Sequence, residues 1–109
     1  MTVQTAYNLL KSLDIPVAYG VFEKSCQLPY ATISAVSSTF SGSDDGTRLV
    51  ETLRLEVCLY TDKKDTKLEE EILKIFSCEN EISRGERYIF EEKVFENTFY
   101  ISTTNKIKF

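Results

Sequence analysis

The sequence predicts an α+β domain of two layers, with two helices packed on one face of a mainly antiparallel sheet of about four to five strands. The first observation behind this is the run Arg48–Thr61. Leu49, Leu53, Leu55, Val57 and Leu59 share one parity, while Arg48, Thr52, Arg54, Glu56 and Tyr60 fall largely on the other. Strand side chains alternate between faces, so this run is a long strand with one buried and one wet face. The second observation is apolar spacing of helical period on either side of it, at Val3–Leu13 and Leu68–Phe76. The third is a pair of strand-like runs after the second helix, separated by a charged turn.

In chain order, Thr2 can cap a helix over Val3–Leu13, whose Val3, Ala6, Leu9, Leu10 and Leu13 form an apolar stripe. Asp14-Ile15-Pro16 ends it, because the residue before proline is pushed out of the helical region. Val17–Phe22 reads as a short strand in which Gly20 marks a bulge or close packing. After the polar stretch Glu23–Leu28, Pro29-Tyr30 opens a second strand over Ala31–Phe40, rich in small and β-branched residues but weak in alternation. Ser41–Gly46 is the strongest loop signal in the chain and joins that strand to Thr47–Thr61 as a hairpin.

Asp62 or Asp65 can cap the second helix, and Thr66-Lys67-Leu68-Glu69 has capping-box spacing. Leu68, Ile72, Ile75 and Phe76 form its apolar stripe with Leu73 beside it, and Glu69, Glu70 and Glu71 crowd the first turns, where the helix dipole favours negative charge. Ile82–Glu91 and Lys93–Thr104 read as antiparallel strands around Glu91-Glu92-Lys93, leaving Asn105–Phe109 as a short tail. The order is therefore α-β-β-β-α-β-β. No linker or internal repeat divides the chain, so residues 1–109 read as one domain, the usual result for this length. Two helices on one face leave the other sheet face open, and an open face with unpaired edges invites assembly.

Composition narrows the function. Thirteen basic and seventeen acidic residues give a formal charge of −4, with no Lys/Arg cluster of the kind that phosphate contacts need. This argues against sequence-specific nucleic-acid binding. No apolar run reaches the roughly 18 residues of a membrane helix, and the N-terminus lacks a signal-peptide pattern, so a cytoplasmic protein without a membrane partner is expected. Cys26, Cys58 and Cys78 are three, widely spaced, and read as free thiols rather than a disulfide or zinc framework.

The chain contains 0 His, which removes His-based acid–base chemistry and His-ligated metal. Gly42 and Gly46 lie in a hairpin tip with no helix or Lys following, so they do not make a phosphate loop. Asp44-Asp45, with Ser41 and Ser43, is the best metal-like group, but it lacks the alternating acidic ligands of a calcium loop and reads as a solvated turn. Adjacent Glu91-Glu92 cannot face one substrate. Cys58 has no readable base beside it. Neither an enzyme nor a cofactor is expected. The six tyrosines suit surfaces apolar at one end and wet at the other, and Tyr60 and Tyr100 lie on the polar parity of their strands.

Several short motifs, taken in order, carry a resemblance. They are Ile15-Pro16-Val17-Ala18-Tyr19-Gly20, Leu28-Pro29-Tyr30, Ser43-Asp44-Asp45, Val57-Cys58-Leu59-Tyr60-Thr61 with Asp62-Lys63-Lys64-Asp65, and Arg87-Tyr88-Ile89-Phe90-Glu91-Glu92. In this order and spacing the chain resembles the small tail-completion proteins of long-tailed bacteriophages and prophages of Gram-positive bacteria, the tail terminators or minor head–tail joining proteins. The resemblance implies a homo-oligomeric ring, usually a hexamer, that stops tail-tube growth and joins the tail to the head connector. It also implies tail-tube and connector proteins as partners and no catalytic residue or cofactor. Such a protein would sit in the bacterial host cytoplasm during assembly and at the head–tail interface of the virion. The mild acidity would suit a lumen that passes DNA without gripping it.

The residues expected to meet other proteins are Phe40, Ser43, Asp44 and Asp45 around the hairpin tip, together with Tyr60 and Tyr100. The first rival is a small monomeric protein-binding or regulatory module of the same fold class. A second is a minor enzyme or ligand-binding domain using Cys58 or the Glu91-Glu92 end.

Overall fold

A computed structural model describes residues 1–21, 27–42, 45–79 and 81–108. Its elements are α1 (Val3–Lys11), β1 (Val17–Tyr19), β2 (Tyr30–Gly42), β3 (Arg48–Thr61), α2 (Thr66–Ile75), β4 (Glu81–Ile89) and β5 (Val94–Lys108). This is the α+β order read from the sequence. The strands form one five-stranded sheet in the order β1-β2-β3-β5-β4, with β1 parallel to β2 and every other neighbour antiparallel.

Local chemistry sets the helix ends. The Thr2 hydroxyl accepts from the Thr5 amide and caps α1. After the helix, Asp14 takes a left-handed φ of 61°, a conformation a short polar side chain tolerates. Asp65, rather than Thr66, caps α2: its carboxylate accepts from the Leu68 amide at 3.0 Å. Thr66 is thus the first helical residue, and the expected capping box does not form. Glu69 is released from it to a different task, described below. At Gly20 a Cβ would meet nothing within 4 Å, so close packing does not explain the residue. Its φ of +78° does, at the point where its amide bonds the Ile33 carbonyl.

The buried face follows the strand parity. Leu53, Leu55, Val57 and Leu59 on β3 join Ala31 and Ile33 on β2 and Phe99 and Ile101 on β5. Ala6 and Leu10 from α1 and Leu68, Ile72 and Phe76 from the α2 end close over them. Leu73 and Ile75 are only half-buried at the margin of this core.

The two layers differ in length. Fourteen residues of β3 span about 46 Å at strand rise, whereas the ten residues of α2 span about 15 Å. The molecule measures 53 × 26 × 24 Å. The helices therefore cover only one half of the sheet, hereafter the body. The rest is a three-stranded arm of β2, β3 and β5 running to a tip at Asp45–Thr47.

Asn105–Lys108 is not a tail: β5 continues to Lys108, pairing Ile107 with Leu49 and Lys108 with Arg48. The weak alternation of β2 has a cause, a bulge between Ala35 and Ser37 that leaves Val36 outside the register. One extra residue inverts the parity of everything after it.

Candidate functional site

Two surfaces stand out. The first is the open sheet face of the body, opposite the helices. Register places Tyr60 between Tyr30 on β2 and Glu96 on β5, with Cys58 beside Thr32 and Thr98, and Glu56 beside Ser34 and Tyr100. The Tyr30 and Tyr60 rings stack with centroids 4.9 Å apart. Arg87 Nε donates to Glu96 Oε1 at 2.7 Å. A shallow depression of about 510 Å³ lies among Glu56, Cys58, Tyr60, Arg87, Glu96 and Tyr100.

The protonation chemistry of this face is quiet. Burial raises the Tyr60 phenol well above its ordinary range, and the neighbouring Glu96 carboxylate adds to the effect. Burial likewise raises the Cys58 thiol, with Glu56 and Glu96 acting in the same direction against a lowering contact from Thr98. A raised thiol is a poor nucleophile at neutral pH, so the environment works against a reactive Cys58. Cys78 is a free, exposed thiol, and Cys26 lies outside the described residues.

The second surface is the arm, which carries large apolar side chains with no layer over them. Phe40 is 53% exposed and Val50 38%, and Val36, at the bulge where the arm leaves the body, is 57% exposed. Arg48, Lys106 and Lys108 share one face of the arm. At its tip the Asp45 carboxylate accepts from the amide and the hydroxyl of Thr47, an Asx-type turn followed by strand. The arm meets the body at a polar collar. There Asn105 donates to Glu51 at 3.1 Å, Ser38 donates to the same carboxylate, and the Met1 ammonium donates to Thr103 and Asn105.

The expected interaction residues do not form one site. Tyr60 and Tyr100 share the open face of the body. Phe40 pairs with Glu51 and so lies on the helix side of the sheet, beyond the reach of the helices. Counting parity from Tyr30 would put Phe40 on the tyrosine face; the bulge at Val36 moves it across. Asp45 sits at the tip, and Tyr60 lies about 40 Å along β3 from Arg48 at strand rise. Ser43 and Asp44 lie outside the described residues, and with them most of the metal-like group. Glu91 and Glu92 occupy the β4–β5 turn.

Sequence reasoning missed Tyr30, Arg87 and Glu96 on the open face and Lys106 and Lys108 on the arm. The lysines carried a readable signal, an i, i+2 spacing that continues the β5 alternation. Tyr30 had only its residue type, since its ring partner is thirty residues away by register alone.

A charged cluster also ties α2 to the sheet. Glu69, only 2% exposed, accepts from Lys64 at 2.9 Å and Arg84 at 2.6 Å, and Lys64 also pairs with Glu86. Its members are engaged with one another across α2 and β4, which gives it a structural role. Among the described residues no group of three or more Cys, Asp or Glu could hold a metal ion, and no helix is long and apolar enough to cross a membrane.

No protein-family model matches the chain, and no curated protein matches it either.

Proposed function

We propose that this chain is a structural subunit of a ring that ends a phage tail, stopping growth of the tail tube and joining the tail to the head connector. The observation that carries the reading is the arm. Three strands leave the cover of the helices, with Phe40 exposed on the helix side and Val50 on the other. A ribbon of this kind has no second layer to bury its apolar side chains, and partner subunits supply one in an assembly. The Tyr30–Tyr60–Tyr100 face offers a second contact surface of amphipathic side chains, suited to a tube or connector protein. The mechanism is complementarity of shape and interface, without chemistry at Cys58 or the Glu91-Glu92 turn.

Light scattering during size-exclusion chromatography, from micromolar to near-millimolar protein, tests the ring directly. A concentration-dependent rise to one closed oligomer is expected, together with binding to purified tails that blocks further tube growth. A chain that stays monomeric and leaves tails unbound overturns the reading. The tyrosine face would then be the binding surface of a small monomeric module.

A further inference from the structure

The arm has two edges, and they differ. β1 pairs with β2 only as far as Ile33, so Ser37–Gly42 has β3 on one side and no strand on the other among the described residues. β4 pairs with β5 only between Val94 and Ser102, so Asn105–Lys108 is likewise bordered by β3 alone among the described residues. Proteins that remain monomeric blunt such edges with charge or proline. The β2 edge, Ser37-Ser38-Thr39-Phe40-Ser41-Gly42, carries neither. The β5 edge carries Lys106 and Lys108, and its neighbour on β3 is Arg48.

We propose that the arm is a two-sided joint between copies of this chain, in which the β2 edge at Ser37–Gly42 of one copy pairs in parallel with the β5 edge at Asn105–Lys108 of the next. This deepens the ring reading and rests on it. Both β2 and β5 run antiparallel to β3, so both run from body to tip and are parallel to each other. Copies related by rotation about an axis that runs along the strands keep that direction, so their adjoining edges meet in parallel and the sheet continues from subunit to subunit. Charge selects this pairing over the symmetric ones. Two β5 edges would set Lys106 and Lys108 against their own copies, and like charges directly opposed are destabilising. Two β2 edges would leave both β5 edges bare. In the mixed pairing the lysines lie along an uncharged edge whose far end leads to Asp45 at the neighbour's tip. Closing the ring then leaves no arm edge uncovered.

Engineered disulfides in the full chain test the joint, with Cys26, Cys58 and Cys78 replaced by Ser. Lys106→Cys is combined in turn with Ser37→Cys, Thr39→Cys and Ser41→Cys, all on the same arm face. After oxidation at least one combination is expected to give a covalent ladder on non-reducing gels, ending at the closed ring, while each single variant stops at dimer. Separately, Ser41→Lys should weaken assembly by roughly threefold to fivefold per contact, through repulsion of the neighbour's lysines, and Lys106→Glu should restore it. An oligomer by light scattering that gives no ladder and ignores Ser41→Lys overturns the joint while the ring reading stands. A chain that is monomeric at near-millimolar concentration also overturns the joint, and its binding to tails then judges the ring reading independently.

Discussion

Phe99 and Phe40 lie on the same side of one sheet, yet Phe99 is fully buried and Phe40 is 53% exposed. The comparison repeats along β3, where Leu55 lies under the helices and Leu49, on the same parity, is only half-buried in the arm. Strand chemistry is the same in both halves. The difference is the presence of a second layer, and it separates a half of the molecule that is complete in itself from a half suited to an external partner.

The sharpest way to break that comparison is to truncate both phenylalanines. Phe99→Ala should cost about 3–5 kcal/mol of unfolding free energy in dilute protein, by lost burial and a cavity under the helices. Phe40→Ala should cost no more than about 0.5 kcal/mol, as expected of an exposed site. Urea titrations of both variants check this; equal losses would mean that the arm packs against its own body. At high concentration the Phe40 variant should instead lose oligomer, as a covered arm requires.

The next effect belongs to the body. Glu69 is buried while its partners Lys64 and Arg84 are partly exposed and can return to water. Glu69→Ala should therefore destabilise by about 1–3 kcal/mol, less than the loss of a fully buried pair. The same measurement on Glu51→Ala, at the arm's collar, should give less. Smaller still is the α2 cap: Asp65→Ala should cost about 1 kcal/mol through the lost bond to the Leu68 amide.

The smallest effect is the pH dependence of the Lys64–Glu86 pair. Hydrogen bonding to Lys64 lowers the Glu86 carboxyl below its ordinary value. Its stabilisation is therefore fully present above the ordinary carboxylate range and is lost as pH falls through the lowered value. Both side chains are at least a third exposed, so the contribution is at most about 0.5 kcal/mol. Glu86→Gln should flatten the acid limb of the stability profile by that amount, and an unchanged profile would show the pair to be energetically idle. In a rate rather than an energy, Cys58 should label with a thiol reagent at neutral pH much more slowly than exposed Cys78, followed by peptide mass mapping. Comparable rates would contradict the raised Cys58 thiol.

Much of the body was legible because its signals are local. The alternation of Leu53–Leu59, the caps at Thr2 and Asp65 and the stripe of Leu68, Ile72 and Phe76 each depend on residues within a turn or two. The candidate interaction surface was legible only in pieces. Tyr60 and Tyr100 announced the open face through parity, but Tyr30, Arg87 and Glu96 join them through register between distant strands. The sequence groups Phe40 with the hairpin tip but not with a face, and one bulged residue places it on the side opposite the tyrosines. Asn105–Lys108 looked like a tail because four residues with two lysines carry little strand signal, and their pairing depends on β3 being there to receive them.

The sequence by itself thus determined the element order, the two-faced character of β3 and the absence of histidine chemistry. These follow from periodicity and residue type. The tertiary structure alone decided how far the helices reach along the sheet, which strand stretches are left as edges and which side Phe40 occupies. Burial and edge exposure are properties of what lies beside and above a strand, and a strand's own residues do not encode the length of its neighbours.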